Sequence, residues 1–143
     1  MDEKNILYFD DEKWFAESLK NDLEKTEKYK VDLVTMPVDF FSFLKEKPVY
    51  DMIILDIMIP MENFTHDDLK ELTRPQVRKL NDGLDVGTVM HDYIRQKKEY
   101  ETVPILFYSA KNNAPINVSN SNFITKPESI SIIEAVIDKL LTK

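Results

Sequence analysis

The sequence predicts an α/β domain: a doubly wound, five-stranded parallel sheet with helices on both faces. Short apolar runs alternate with amphipathic helical stripes along the 143 residues. Several of the runs are apolar at successive positions, as is typical of strands buried on both faces. Strands that alternate with helices specify a parallel sheet with right-handed crossovers. We expect residues 1–143 to form a single domain, with 43% hydrophobic residues supplying its core.

The first half of the chain contains three predicted strands and two helices. The strands are expected at three apolar runs: Ile6–Phe9, Val31–Met36 and Met52–Leu55. The first helix is indicated by apolar residues at every fourth position: Phe15, Leu19 and Leu23. We expect Trp14 to pack within this helix. The second helix begins at Pro37 and carries a short apolar stripe: Phe40, Phe41 and Leu44.

The second half continues the alternation. A helical stripe contains apolar residues at three- to four-residue spacing: Leu84, Val86, Val89, Met90, Tyr93 and Ile94. Pro104–Tyr108 and Phe123–Thr125 predict the fourth and fifth strands. The closing helix is amphipathic, with an apolar face: Ile130, Ile133, Val136, Ile137, Leu140 and Leu141.

Composition excludes several classes of protein. A net charge of −7 argues against nucleic-acid binding, because the phosphate backbone would be repelled. The absence of cysteine excludes disulfides, thiolate zinc sites and a cysteine nucleophile, and it fits a cytoplasmic location. No apolar run approaches the roughly 18 residues of a membrane span, so no membrane insertion is expected. With Gly83 and Gly87 as the only glycines, no glycine-rich phosphate loop can be written.

Polar residues follow four of the predicted strands at the point where each ends. They are Asp10 and Asp11 after the first strand, Asp56 after the third, Ser109 after the fourth and Lys126 after the fifth. In doubly wound folds, ligands bind outside the carboxyl ends of the strands. Converging carboxylates with room for water suit Mg²⁺. Lys126 and Ser109 would complete a phosphoryl site, with Asp56 as the covalent acceptor.

These residues lie in a set of short motifs that is specific as a whole. The motifs are FDDE at residues 9–12, ILDIMIP at 54–60, YSA at 108–110 and ITKP at 124–127. In this order at successive strand ends, the chain resembles the receiver domain of bacterial two-component response regulators. The resemblance covers nearly the whole sequence and implies the flavodoxin-like strand order 2-1-3-4-5.

The resemblance also assigns roles to residues. Asp56 is similar to the phosphoacceptor, Asp11 to the direct Mg²⁺ ligand and Asp10 to a ligand acting through water. The backbone carbonyl of Met58 is similar to the remaining protein ligand. In these roles the acidic residues and Met58 would hold one Mg²⁺ ion.

Three further residues correspond to the signalling parts of the family. Ser109 is similar to the switch hydroxyl and Lys126 to the family's lysine. Phe123 matches the switch aromatic that turns inward when the hydroxyl moves toward the phosphoryl group. The Lys126–Pro127 peptide is expected to be cis, as is usual in the family.

The implied function is to accept a phosphoryl group on Asp56 from a histidine kinase or phosphotransfer protein. Slow self-catalysed hydrolysis would follow, so the chain would not be an enzyme acting on other substrates. We expect a stand-alone receiver that signals by contact with an unidentified downstream protein, and a homodimer is compatible with this interpretation.

The sequence departs from the family pattern in two places. The family has a proline four residues before a glycine after the acceptor, whereas Pro60 and Gly83 are 23 residues apart. We therefore expect a helical insertion over residues 62–80, opened by a capping box at Thr65–Asp68. The stretch between Ser109 and Lys126 is short and rich in asparagine, so the fourth helix of the family is expected to be short or absent.

Two other functions compete with this hypothesis. A pseudo-receiver would keep the fold but act as a phosphorylation-independent protein-binding module. The intact set of Asp10, Asp11, Asp56, Ser109 and Lys126 argues against it. A haloacid-dehalogenase-type phosphatase also uses a strand-end aspartate and Mg²⁺. It ranks lower, because it requires an acid where this chain has Met58.

Overall fold

The chain forms a sheet of parallel strands surrounded by helices. The computed structural model describes residues 3–46, 49–81, 86–110 and 121–142, except the side chains of Asn81 and Ser121. The strands in these ranges are β1 Lys4–Phe9, β2 Tyr29–Val34, β3 Met52–Leu55, β4 Ile105–Ser109 and β5 Ser121–Thr125. The helices in the same ranges are α1 Lys13–Glu24, α2 Pro37–Glu46, α3 His66–Leu69, α4 Arg74–Asn81, α5 Val86–Arg95 and α6 Ile130–Leu141.

The strand order is β2-β1-β3-β4-β5, and all pairs are parallel. This confirms the predicted fold class and the order 2-1-3-4-5. Every residue of β3 and β4 is buried, as the unbroken apolar runs predicted. The direction of strand addition reverses between β1 and β3. A crevice is expected at the carboxyl ends of the strands at that point.

Each face of the sheet has its own hydrophobic core. Successive residues of β1 alternate between the two, with Leu7 and Phe9 in one and Ile6 and Tyr8 in the other. The first core lies under α2 and α5 and includes a stacked pair, Phe9 and Phe40, whose ring centroids are 4.8 Å apart. The second lies under α1 and α6. Burial of each large apolar side chain contributes about 1.5–3 kcal/mol.

The predicted helical segment over residues 62–80 is largely helical in the structure. It contains a 3₁₀ turn at Met61–Asn63 followed by α3 and α4. The capping box is confirmed: Asp68 N donates to Thr65 Oγ1 at 3.1 Å, and Thr65 N donates to Asp68 Oδ2 at 2.8 Å. That the segment is an insertion relative to the family stays a prediction.

The helical segment packs on the side of the sheet that carries α2 and α5. Phe64 lies in the first core, with its ring 6.5 Å from that of Phe41 on α2. Glu71 forms an ion pair with Lys45 of α2 and accepts a 3.3 Å hydrogen bond from the Tyr93 hydroxyl of α5. The segment therefore extends the first core outward.

The elements differ from the sequence prediction in a few places. β2 begins at Tyr29 and ends at Val34, two residues earlier than expected, because the Met36 carbonyl accepts the first amide hydrogen bonds of α2. Trp14 is 91% exposed and does not pack, so that expectation was wrong. Gly83 and Leu84 lie outside the described residues. The expectation of a short or absent fourth helix falls on residues 111–120, which also lie outside them.

Among the described helices, none combines the length and apolarity needed to cross a membrane.

Candidate functional site

The strand register brings the predicted site residues to one edge of the sheet. Phe9 lies opposite Leu55, Leu55 opposite Phe107, and Phe107 opposite Phe123. Asp10 directly follows Phe9 and Asp56 directly follows Leu55, so the two aspartates leave the sheet side by side. Two amides continue the ladder past its end: Asp56 N donates to Phe9 O at 3.0 Å, and Asp10 N donates to Val34 O at 3.1 Å.

Asp10, Asp11 and Asp56 form an acidic cluster. One carboxylate oxygen from each lies within 4.8 Å of the others. Asp10 is fully buried, Asp56 is 2% exposed and Asp11 is half-buried, so Asp11 provides the side of the cluster nearest to solvent. Two carboxylates about 4 Å apart repel by on the order of 4 kcal/mol at an effective dielectric of 20. The cluster therefore needs a positive charge.

Lys126 supplies positive charge within the cluster. Its Nζ lies 2.7 Å from Asp10 Oδ2 and 3.1 Å from Asp56 Oδ2, and its side chain is only 5% exposed. The ammonium also lies over the Phe15 ring, 5.0 Å from the centroid. Lys126 N donates to Ser109 O at 2.9 Å, and the Lys126–Pro127 peptide is cis, as expected.

The pKa values of these groups reflect burial and mutual charge. Burial raises the pKa of Asp10, although the hydrogen bond and charge of Lys126 oppose the shift. Burial also raises the pKa of Asp11, and the negative charge of Asp56 adds to the effect. Burial disfavours the charge on Lys126, but Asp10 and then Asp56 outweigh it, so the pKa of Lys126 is raised.

Asp56 is oriented by its own loop. The Met58 amide donates to Asp56 Oδ1 at 2.9 Å, while Oδ2 faces Lys126. Met58 is exposed, so the loop that follows Asp56 is accessible to solvent. The assignment of the Met58 carbonyl as a metal ligand stays a prediction.

The predicted switch residues lie on β4 and β5. Ser109 is the last residue of β4 and is fully buried beside the site. Phe123 is half-buried and packs against the first core, three residues before Lys126. Their roles in switching stay predictions.

Sequence reasoning missed three contributors to the site. The Tyr8 hydroxyl donates to Asp10 Oδ2 at 2.9 Å, and Glu12 Oε1 lies 3.5 Å from Lys126 Nζ. The signal for Tyr8 was its spacing, since residues two apart on an extended chain point to the same side.

Gly87 donates from its amide to Ile57 O at 3.2 Å, and an added Cβ would lie 2.6 Å from Ile57 Cα. Glycine therefore allows α5 to approach the acceptor loop, the segment that directly follows Asp56.

Comparison with solved structures identifies receiver domains as neighbours. One is the receiver domain of a signal transduction histidine kinase from Syntrophus aciditrophicus, at 22% identity and a TM-score of 0.70, covering 97% of this chain and 90% of that one. A two-component response regulator from Clostridium difficile matches at 18% identity and a TM-score of 0.70, covering 99% and 98%. The receiver domain of a Francisella response regulator matches at 21% identity and a TM-score of 0.67, covering 97% of each chain.

These matches show that the chain has the fold of response-regulator receiver domains, as the sequence predicted. No family model and no curated protein matches the chain.

Proposed function

We propose that this chain is a phosphoacceptor receiver that takes a phosphoryl group on Asp56 from a histidine kinase or phosphotransfer protein. The observation that supports this most directly is the position of Lys126, whose ammonium lies between Asp10 and Asp56 at 2.7 and 3.1 Å. A buried cation beside a buried carboxylate is suited to neutralise the charge of an incoming phosphoryl oxygen.

The donor set fits Mg²⁺. Hard carboxylate oxygens are the ligands that this ion prefers, and one or two carboxylates with several waters suffice. Asp11 and Asp56, with the carbonyl of Met58, would hold the ion, and Asp10 would contact it through water. When bound, Mg²⁺ would neutralise the charge that develops on the phosphoryl oxygens.

In the proposed reaction, a carboxylate oxygen of Asp56 attacks the phosphorus atom of a phosphohistidine. A P–O bond forms as the P–N bond breaks, and the electron pair of that bond returns to the imidazole nitrogen. The Met58 amide holds Asp56 Oδ1, and Lys126 holds Oδ2, so the carboxylate is already oriented. Ser109 is placed at the neighbouring strand end, where its hydroxyl would donate to the new phosphoryl group.

The aspartyl phosphate would carry about 1.5 to 2 negative charges where the Asp56 carboxylate carried one, so phosphorylation would add negative charge to a cluster that already needs compensation. We propose that Ser109 and Phe123 transmit this change to a surface that contacts a downstream protein. The chain would catalyse only its own phosphorylation and dephosphorylation.

The proposal is tested with phosphoramidate, a small donor that carries the same P–N bond as phosphohistidine. We expect wild-type protein with Mg²⁺ to gain the mass of one phosphoryl group, measured by intact-protein mass spectrometry. The gain should be absent in Asp56→Asn and after chelation of Mg²⁺. Asp51→Asn is a matched control, because Asp51 precedes the other end of β3 and accepts the Asn5 amide. No gain in wild type would contradict the proposal and favour the pseudo-receiver.

A further inference from the structure

The Tyr8 hydroxyl is buried against the acidic cluster. Tyr8 lies in β1, is fully buried and belongs to the core under α1 and α6. Its hydroxyl donates to Asp10 Oδ2 at 2.9 Å. A buried hydroxyl costs free energy unless it is hydrogen-bonded, and the Asp10 carboxylate satisfies it here.

The hydrogen bonds of Asp10 leave little capacity for a metal ion. Oδ1 accepts from the Glu12 amide at 2.9 Å. Oδ2 accepts from Lys126 Nζ at 2.7 Å and from Tyr8. An ionised carboxylate offers about four lone-pair sites. Three are therefore in use, and the remaining one suits a water molecule better than a direct bond to a cation.

We infer that Tyr8 is a positioning residue of the phosphoryl site, an inference that rests on the proposed function. Its hydroxyl holds Asp10 toward Lys126, so that Asp10 supports the cation through water and leaves direct contact to Asp11 and Asp56. Phenylalanine at this position would keep the ring but remove one of the three restraints on the carboxylate. Asp10 would then be held only by Lys126 and the Glu12 amide, and it would orient water less well.

A second buried tyrosine provides a matched control. Tyr108 lies in the same core, and its hydroxyl accepts a 3.2 Å hydrogen bond from the Glu128 amide. Tyr108→Phe therefore removes a buried hydroxyl without removing a donor to Asp10. A purely structural role of the hydroxyl would make Tyr8→Phe and Tyr108→Phe behave alike at the acidic cluster.

The first measurement needs no metal. We expect the ¹³C resonance of the Asp10 carboxyl carbon to shift in Tyr8→Phe and to stay in place in Tyr108→Phe. A shift of equal size in both variants, or in neither, would overturn the inference. If Tyr8→Phe does not fold, Asp10→Ala provides the reciprocal test, in which the Tyr8 ring resonances should move and those of Tyr108 should not. Unmoved Tyr8 resonances there would overturn it as well.

The second measurement is the Mg²⁺ dissociation constant by isothermal titration calorimetry. We expect Tyr8→Phe to weaken binding by about tenfold, the lower end of the effect of outer-shell partners. Tyr108→Phe should stay within about twofold of wild type. In an Asp10→Asn background, Tyr8→Phe should have no further effect, because Tyr8 acts through Asp10. Unchanged or tighter binding in Tyr8→Phe would contradict the inference.

The two measurements separate this inference from the proposed function. Wild-type protein that binds no Mg²⁺ would refute the proposed function. The metal-free carboxyl resonance would still decide whether Tyr8 positions Asp10.

Discussion

Lys126 Nζ and Asp10 Oδ2 are 2.7 Å apart, although 116 residues separate them in the sequence. The parallel register places the ends of β1 and β5 at the same edge of the sheet, and the Lys126 side chain reaches across that edge. Both groups are almost completely buried, so their attraction is poorly screened. Loss of this pair should therefore change both the geometry of the site and the stability of the fold.

Replacing Lys126 with methionine should destabilise the metal-free protein. The change leaves Asp10 and Asp56 buried without their cation, and breaking a buried pair in this way typically costs about 3–5 kcal/mol. The free energy of unfolding, measured by urea titration, should fall by about 3 kcal/mol. Mg²⁺ should restore part of the loss, because it binds the folded state.

The matched control for Lys126 is Lys20→Met. Lys20 forms a 2.7 Å pair with Glu24 on the surface of α1, and both side chains are partly exposed. Such pairs contribute about 0–1 kcal/mol. Equal losses in the two variants would contradict a buried, cluster-neutralising role for Lys126.

Asp11→Asn should stabilise the metal-free protein. The pKa of Asp11 is raised by burial and by the charge of Asp56, so the folded state disfavours the charged form at neutral pH. A neutral isostere removes this penalty, and we expect a gain below about 1 kcal/mol because Asp11 is partly solvated. The stabilisation by Mg²⁺ should be lost. Thermal unfolding with and without Mg²⁺ measures both effects.

Asp67→Asn is the control for Asp11, since Asp67 lies exposed on α3 and pairs with Lys70 at 3.3 Å. It should neither raise metal-free stability nor remove the effect of Mg²⁺. If Asp11→Asn lowered metal-free stability or kept the full Mg²⁺ response, Asp11 would not have the role assigned to it.

Gly87→Ala should destabilise the protein and disturb Asp56. The new Cβ would lie 2.6 Å from Ile57 Cα and 3.0 Å from Asp56 O, both of which are backbone atoms that cannot rotate away. Overpacking of this kind costs about 1–3 kcal/mol, more than the roughly 0.5–1 kcal/mol that alanine gains over glycine in a helix. Urea unfolding measures the difference. A more stable variant would show that α5 does not approach the acceptor loop closely.

His91 should make stability depend on pH below neutrality. It is 5% exposed on α5, its ring packs 5.7 Å from that of Phe107, and burial lowers its pKa. On acidification, the unfolded state therefore binds the proton first. The stabilising contribution is present above the ordinary histidine pKa and is lost as the pH falls from that value through the lowered pKa of the folded state.

Replacing His91 with glutamine should flatten this dependence. The free energy of unfolding between about pH 7.5 and 5.5, on either side of the ordinary histidine pKa, should fall less steeply in His91→Gln than in wild type. His66→Gln changes an exposed histidine on α3 and should leave the slope as it is. A wild-type slope in His91→Gln would refute the prediction.

The fold and the main site residues were predictable because each depends on local pattern. Apolar runs such as Met52–Leu55 indicate buried parallel strands, and parallel strands bring residues such as Asp10 and Asp56 to one edge. The residues that meet in the site can therefore be recognised in the sequence by their position directly after predicted strands.

The remaining features depend on side-chain directions and backbone distances. The Tyr8–Asp10 hydrogen bond requires both side chains to turn to the same side, and the close approach of Gly87 depends on how α5 docks. Trp14 is apolar but projects into solvent, whereas its neighbours Phe15 and Ala16 on α1 are the residues that face the second core. Composition and periodicity do not specify such arrangements.

The most direct test of the account is to locate the phosphoryl group. An aspartyl phosphate is reduced by borohydride to homoserine, which marks the modified residue for peptide mass spectrometry. After treatment with phosphoramidate and Mg²⁺, we expect homoserine at position 56 in wild-type protein and at no other aspartate. Homoserine at another position, or none at all in folded protein that binds Mg²⁺, would contradict the assignment of Asp56 as the phosphoacceptor.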